Sequence, residues 1–204
     1  MGVRDRDAVK RAEGIFRQQG GVLRMSEAIR AGIHRATLYA MRDAGIVERL
    51  ARGLYRLADL PPLGNPDLVT VAGKVPNGVV CLISALAYHE ITTQIPQTVY
   101  LAIERGAEAP RLEHPPLRVF WFTGRAFSEG VIRPRVDGVE LRVYSVEKTL
   151  ADCFKYRNKI GMDTVKEALR LYRERKPLNV DALMYFAKVC RVSRTMRPYL
   201  EAIL

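Results

Sequence analysis

The Ser145–Lys148 segment is the stretch of this chain that comes nearest to a catalytic motif. It reads Ser-Val-Glu-Lys and has the Ser-x-x-Lys spacing of serine acyl-enzymes. However, Ser145 stands where a helix needs an N-terminal cap, and the Lys-Thr-Gly and Ser-Asp-Asn partners of that chemistry are missing from the sequence. We therefore interpret Ser145 as a helix cap and not as a nucleophile.

The three histidines, His34, His89 and His114, do not have the spacing of metal ligands. The sequence also contains no P-loop, no Gly-x-Gly-x-x-Gly and no paired-carboxylate motif. We therefore predict that the chain is not an enzyme, with no catalytic residues, no metal and no cofactor. The alternative is an unrecognised nuclease or transferase, whose metal-dependent activity would be abolished by carboxylate substitutions.

The three cysteines indicate a reducing environment. Cys81, Cys153 and Cys190 are scattered and form no Cys-x-x-Cys pair, so we interpret them as small core residues. No apolar run approaches the ~20 residues that span a membrane. The N-terminus is charged and lacks the apolar stretch of a secretory signal. We expect a cytoplasmic protein with no membrane partner.

Positive charge is concentrated at the two ends of the chain. The whole chain has a net charge of +11. Residues 1–57 carry +6, residues 58–147 carry −2, and residues 148–204 carry +7. This distribution predicts two surfaces that face polyanions, with ordinary solvated helix faces as the alternative.

Residues 33–57 predict a short helix, a glycine turn and a two-stranded wing, in the sequence IHRATLYAMRDAGIVERLARGLYRL. The apolar residues Ile33, Leu38 and Met41 fall on one side of the helix. Two apolar runs joined by an Arg-Gly turn predict the hairpin. With the two helical patterns that precede it, this segment predicts a winged helix-turn-helix, whose helix enters the major groove while the wing contacts phosphates.

Seven side chains of this segment are the candidate DNA-binding residues. Arginines suit guanine edges or phosphates, whereas a threonine hydroxyl and a tyrosine ring suit phosphate or thymine-methyl contacts. The candidates are Arg35, Thr37, Tyr39 and Arg42 on the helix, and Arg49, Arg52 and Arg56 in the wing. A winged helix that binds protein instead of nucleic acid is the alternative.

A proline-rich stretch divides the chain into two predicted domains. Pro61-Pro62 and the following Gly-Asn-Pro break every periodicity and mark a linker. We predict a winged helix-turn-helix domain over residues 1–60 and a second domain over residues 67–204.

The second domain is predicted to contain a small mixed sheet followed by about four helices. An Asp137-Gly138 turn predicts a hairpin between residues 131–136 and 139–143. From Ser145 the apolar pattern becomes helical, with the last helix running to Leu204. The predicted fold class is therefore α+β: an N-terminal winged helix followed by a mixed α/β domain.

The helical part of the second domain carries a second candidate surface, where basic residues alternate with tyrosines. This pattern suits either nucleic acid or an acidic partner protein. An ordinary basic helical surface is the alternative. The candidate residues are Lys155, Arg157, Lys159, Arg173, Arg175 and Lys176.

Four segments of the chain resemble AbiEi-type antitoxins, the antitoxin half of bacterial type IV toxin–antitoxin pairs. The resemblance covers nearly the whole chain in order and is most specific between Tyr144 and Gly161. The segments are GIHRATLYAMRDAGIVERLARGLYRL, ISALAYHEITTQIPQTVYLAI, DGVELRVYSVEKTLADCFKYRNKIG and RPYLEAIL.

The resemblance implies an operon repressor that binds repeats in its own promoter as double-stranded DNA. It also implies a C-terminal domain that counters a nucleotidyltransferase-like toxin by opposing its effect, without forming a tight complex. By resemblance, the DNA-binding role falls on Arg35, Tyr39, Arg42, Arg49 and Arg52. The alternative is a transcriptional regulator with a ligand- or partner-sensing C-terminal domain and no toxin.

Overall fold

The computed structural model describes residues 3–202, and the predicted winged helix is formed over its first part. Three helices are followed by a wing, and a short strand between the first two helices pairs with the wing. The elements are α1 (Val3–Gln18), β1 (Val22–Arg24), α2 (Met25–Arg30), α3 (Arg35–Asp43), β2 (Val47–Ala51), β3 (Leu54–Leu57) and α4 (Pro66–Lys74).

A glycine ends each of the two helices of the helix-turn-helix, α2 and α3. At the end of α3, Gly45 (φ +71°) donates its N–H to Arg42 and Ile46 donates to Met41. At the end of α2, Gly32 (φ +90°) donates its N–H to Ile29, and Ile33 donates to Ala28. Each pair of bonds is a Schellman motif, which needs a residue that adopts positive φ without strain. The chain is thereby turned from α2 into α3, and from α3 into the wing.

Apolar side chains of the three helices and the sheet form the core of the winged helix. Leu38 and Met41 on α3 are completely buried, and Ile33 in the turn before it is 3% exposed. The sheet order is β1-β3-β2 and all pairs are antiparallel, so β3 is the central strand. The orientation of α3 is therefore fixed by its inward face, as the sequence pattern predicts.

The N-terminal unit is larger than the predicted domain of residues 1–60. It comprises the residues up to Pro76 together with Arg135–Leu141, a hairpin of β8 (Arg135–Val136) and β9 (Val139–Glu140). The carboxylate of Asp137 accepts N–H groups of Gly64 (3.1 Å) and Asn65 (3.2 Å) at the start of α4. The sequence predicts residues 67–76 and this hairpin in the second domain, because the linker signal at residues 61–66 marks a local break and does not show where each segment packs.

The second unit comprises Asn77–Pro134 and Arg142–Leu204. Its elements are β4 (Val79–Val80), α5 (Leu82–Tyr88), β5 (Val99–Glu104), β6 (Leu117–Phe122), α6 (Arg125–Ser128), β7 (Val131–Ile132), β10 (Val143–Tyr144), α7 (Val146–Lys155), α8 (Arg157–Ile160), α9 (Met162–Arg175), α10 (Val180–Val189) and α11 (Ser193–Glu201). The five strands form one sheet with the order β6-β5-β4-β10-β7, in which the β6–β5 and β4–β10 pairs are parallel.

The predicted α+β class is confirmed, including the small sheet and the C-terminal run of helices. The Asp137-Gly138 turn does join a hairpin, but its outer strands β7 and β10 pair within the five-stranded sheet. The end predicted for the last helix, Leu204, lies outside the described residues. No helix among residues 3–202 has both the length and the apolar character needed to cross a membrane.

A buried ion pair lies in the core of the second unit. Lys148 and Asp152, one turn apart on α7, are both completely buried and are 2.5 Å apart. The Lys148 ammonium also lies 3.9 Å from the centre of the Tyr144 ring, and the Cys190 thiol donates to Asp152. Burial raises the pKa of Asp152, and the Lys148 charge opposes this shift. All three cysteines are buried, as predicted.

Candidate nucleic-acid interface

The outer face of α3 carries the polar residues that the sequence predicts. Arg35, Tyr39 and Arg42 are exposed, and Thr37 is partly exposed. Ala36 and Ala40 are also exposed on this side, so the backbone of α3 can approach a surface closely at these two positions. The face therefore has the size and the hydrogen-bonding groups that a helix needs in the major groove.

Arg42 is held by its neighbours on the same helix. Its guanidinium donates to Asp43 Oδ1 at 2.9 Å through Nε and at 2.7 Å through Nη2, which raises its pKa. It also lies 5.0 Å from the centre of the Tyr39 ring. Arg42 must leave Asp43 before both of its donor positions can meet a guanine.

Arg35 is the first residue of α3, at the end where recognition helices contact base edges. Its side chain is exposed, and it forms no ion pair with any residue that the structure describes. Arg35 can therefore reach DNA without giving up a contact in the free protein.

The wing presents two exposed arginines on a braced turn. Arg49 lies on β2 beside a bulge, and its Nε donates to Ala51 O at 3.3 Å. Arg52 occupies the turn, where Gly53 has φ +73°. Two hydrogen bonds fix the backbone of the turn. The N–H of Met25 donates to Gly53 O at 2.8 Å, and Lys74 Nζ donates to Arg52 O at 2.6 Å. The backbone of the wing is thus preorganised for contacts with phosphates.

Arg56 does not lie on this surface, so the prediction that it contacts DNA is wrong. Its side chain is 6% exposed, because both faces of β3 are covered. Tyr55 and Leu57 face the helical core, whereas Leu54 and Arg56 face α4 and the segment that follows the wing. Its guanidinium donates to Glu48 Oε1 at 2.7 Å and to the carbonyl oxygen of Pro61. Arg56 therefore links the wing to the segment that follows it.

Lys74 is a basic residue at the wing that the sequence did not indicate. Its position at the end of α4 placed it in the predicted second domain. The contact between α4 and the wing depends on Gly73, because a Cβ atom there would lie 2.6 Å from Leu54 Cδ2. Arg24 also donates to the carbonyl oxygens of Ala72 and Gly73, which caps the end of α4.

The second predicted basic surface is divided into two groups. Lys155, Arg157 and Lys159 lie around the start of α8, whereas Arg173, Arg175 and Lys176 lie at the far end of α9. Helix α9 has 14 residues, which corresponds to about 21 Å at 1.5 Å per residue. Arg175 donates to Glu90 O at 2.7 Å and is therefore engaged within the unit. The six residues do not form one continuous patch.

The residues that resembled a catalytic motif have structural roles. The N–H of Lys148 donates to Ser145 Oγ at 3.3 Å, which confirms Ser145 as the cap of α7. His89 Nε2 lies 2.7 Å from Tyr144 O, and burial lowers the pKa of this imidazole. Among the residues that the structure describes, no three His, Cys, Asp or Glu side chains are grouped as metal ligands would be.

Taken together, the exposed face of α3 and the braced arginine-bearing wing define a winged-helix protein of the DNA-binding regulator class. Residues 11–58, from within α1 to just past β3, match a family model described as "Transcriptional regulator, AbiEi antitoxin". This segment is therefore an AbiEi-type regulator domain, which confirms the resemblance there. The match covers about a quarter of the chain, so it supports DNA-binding regulation and leaves the second unit unassigned.

Among solved structures, the chain is similar to the crystal structure of the RV2827C protein from Mycobacterium tuberculosis. The TM-score is 0.52 at 14% sequence identity, and the alignment covers 95% of this chain and 78% of that chain. A likeness at this level of identity shows the fold alone. No curated protein sequence matches the chain.

Proposed function

We propose that the chain is the antitoxin of a type IV toxin–antitoxin pair and represses its own operon from the cytoplasm. The observation that carries the proposal is the set of exposed arginines on α3 and on the wing within a domain that matches AbiEi regulators. The partners are double-stranded DNA with repeats from its own promoter and a nucleotidyltransferase-like toxin.

In this proposal the two parts of the winged helix have different tasks. Helix α3 enters the major groove, where Arg35 and Arg42 contact guanine edges, and Thr37 and Tyr39 contact phosphate or thymine methyl groups. The exposed wing residues, Arg49 and Arg52, neutralise phosphates and fix the protein on the duplex. Because counterions are released at each phosphate contact, affinity should fall steeply as salt is added.

The second unit is proposed to carry the antitoxin role. Support comes from the resemblance of its segments to AbiEi antitoxins, and from its basic groups near α8 and at the end of α9. The chain would oppose the effect of the toxin instead of forming a stable complex with it. The residues Lys155, Arg157, Lys159, Arg173, Arg175 and Lys176 are the proposed candidates for this role.

A growth assay tests the pairing with a toxin. The adjacent open reading frame would be expressed alone, with this chain, and with an Arg35→Ala/Arg52→Ala variant that keeps every segment of both units. We expect growth arrest by the neighbour, and rescue by both forms of the chain, because the two substitutions remove only proposed DNA contacts. A harmless neighbour, or arrest that persists with the unaltered chain, would refute the antitoxin role.

A cleft in the second unit favours one alternative, a regulator that senses a ligand and has no toxin. The cleft has a volume of about 720 Å³ and is lined by Glu147, Tyr172 and Lys176, among others. This volume is in the range of small-molecule sites, but the cleft is open to solvent over most of its extent and would enclose only part of a ligand. A ligand that binds there would raise the melting temperature in proportion to the logarithm of its concentration. A neighbour without toxicity, combined with such a shift, would favour this alternative.

A further inference from the structure

The edge of the five-stranded sheet carries a cluster of cations on aromatic rings, which we call the β6 cation cluster. It consists of Arg118 on β6, Lys155 at the end of α7 and Lys159 on α8, around the rings of Phe120 and Tyr156. The three cations are exposed, and Phe120 is buried beneath them. Arg118 was not among the candidates from the sequence.

The rings draw together cations that are distant in the sequence. Arg118 Cζ and Lys159 Nζ lie 5.8 Å and 5.7 Å from the centre of the same Phe120 ring. Lys155 Nζ and Lys159 Nζ lie 5.9 Å and 5.8 Å from the centre of the Tyr156 ring. Each contact is favourable because a cation is attracted to the face of an aromatic ring. The three charges therefore share one small area.

Within residues 3–202, none of the three cations forms an ion pair with a carboxylate. By contrast, Arg125 and Arg170 each have a glutamate partner. Arg118 donates to a neutral hydroxyl, that of Tyr100, at 3.1 Å. Like charges held close together without ion-pair partners repel one another, so the cluster is complementary to an anion with several charges.

The aromatic content favours nucleic acid over an acidic protein surface. Tyr156 is partly exposed and stacks on Phe122, with ring centres 5.5 Å apart and an interplanar angle of 7°. Trp121 does not contribute to this surface, because side chains alternate along a strand and Trp121 therefore lies on the face of β6 opposite to Phe120 and Phe122. A partly exposed ring beside cations is a usual platform for unpaired bases and phosphates.

We propose that the β6 cation cluster binds the phosphates of single-stranded nucleic acid, whose bases contact Tyr156. Helix α8 has only four residues, and the other two cations lie on β6 and at the end of α7, so the cluster presents no helix long enough to enter the groove of a duplex and suits unpaired bases better. The cluster belongs to the second unit, whereas α3 and the wing belong to the N-terminal unit. It shares Lys155 and Lys159 with the residues proposed for the antitoxin role, but its binding test needs no toxin.

The test uses the full chain and the fluorescence anisotropy of labelled oligonucleotides. The probes are 12-nucleotide oligouridylate and oligothymidylate with a terminal fluorophore, and the competitors are a 12-base-pair duplex and polyglutamate. The site variant is Arg118→Gln/Lys155→Gln/Lys159→Gln. The matched control is Arg191→Gln/Arg194→Gln/Arg197→Gln, which removes the same charge from exposed positions around α11. Circular dichroism and melting temperature establish that each variant is folded.

We expect both labelled oligonucleotides to bind, which raises their anisotropy, and polyglutamate to displace neither of them. Three lost phosphate contacts would lower the slope of log K against log salt by about 2, which is about a 100-fold loss of affinity at 0.1 M salt. The control variant should lose far less. Equal losses in the two variants would show a non-specific charge effect and overturn the proposal. Displacement of the probes by polyglutamate, or an equal loss of duplex affinity in the site variant, would overturn it as well.

Discussion

Arg52 and Arg56 lie four residues apart in the wing, yet the structure gives them opposite roles. Arg52 is exposed at the turn, and Arg56 is buried between Glu48 and Pro61. We predict that Arg56→Ala destabilises the winged-helix unit without changing the DNA affinity of the folded molecules. We predict the reverse for Arg52→Ala, namely weaker DNA binding at unchanged stability.

The magnitude for Arg56→Ala follows from the partners that it leaves behind. Hydrogen bonds of a charged group contribute about 1.5–3 kcal/mol each. Glu48 is 49% exposed and can turn to water, so its share is discounted. The carbonyl of Pro61 loses its donor, and the buried stem of Arg56 leaves a gap. We expect a loss of about 2–3 kcal/mol, which in a unit of this size lowers the melting temperature by roughly 10 °C or more.

Arg52→Ala removes one phosphate contact and no contact within the protein. A surface substitution of this kind changes stability by about 0.5 kcal/mol or less. Loss of one contact should lower the salt slope by about 0.9 and weaken binding by roughly tenfold at 0.1 M salt, on operator and scrambled DNA alike.

Melting curves and fluorescence anisotropy on one labelled duplex compare the two variants. The anisotropy is measured well below the melting temperature of Arg56→Ala, and a stoichiometric titration gives the active fraction of each protein. The reasoning is refuted if Arg56→Ala melts with the unaltered chain and loses affinity as Arg52→Ala does. In that case Arg56 would contact DNA directly.

Three further predictions address helix α3, the β8–β9 hairpin and the pH dependence of stability. Arg35→Ala should reduce the affinity for the operator more than for a scrambled duplex, because it removes a base contact worth about 1–3 kcal/mol. Equal losses on the two duplexes would contradict this. Asp137→Ala should destabilise the winged-helix unit by about 1 kcal/mol, and Asp137→Asn by less, because the asparagine oxygen still accepts the N–H groups of Gly64 and Asn65. Chemical denaturation measures the stability of the two variants and the unaltered chain. Equal stability of these three proteins would contradict the prediction. Burial lowers the pKa of His89 in the folded protein, so as the pH drops the imidazole takes up a proton in the unfolded chain at a higher pH than in the folded chain, and the stability should fall below about pH 6.5. The His89→Gln variant keeps an N–H donor and should flatten this part of the profile of stability against pH. An unchanged slope in the variant would show that other groups cause the pH dependence.

Local features of the winged helix could be predicted from the sequence because they depend on near neighbours in the chain. Gly45 ends α3 since the backbone there needs positive φ, and the spacing of Leu38 and Met41 defines the buried face. The Arg-Gly turn of the wing follows from the same kind of information. Each of these signals lies within a few residues of the feature that it determines.

The features that the sequence could not reveal depend on pairing between distant segments. Arg56 is buried because α4 and the segment at Pro61 cover its face of β3, and the local sequence pattern does not show what packs on each face of a strand. The residues Arg135–Leu141 join the winged-helix unit from the far side of the proline linker. Arg118 meets Lys159 only because β6 lies beside α8 at the edge of the sheet.

Binding of the chain to the DNA upstream of its own gene tests the central claim most directly. The measurement is a competition titration of the labelled upstream duplex against a scrambled duplex of equal length, at two salt concentrations. We predict a preference for the upstream sequence of at least about 10³-fold that persists when salt weakens both affinities. Equal affinities for the two duplexes at both salt concentrations would contradict the account of the chain as a specific autorepressor.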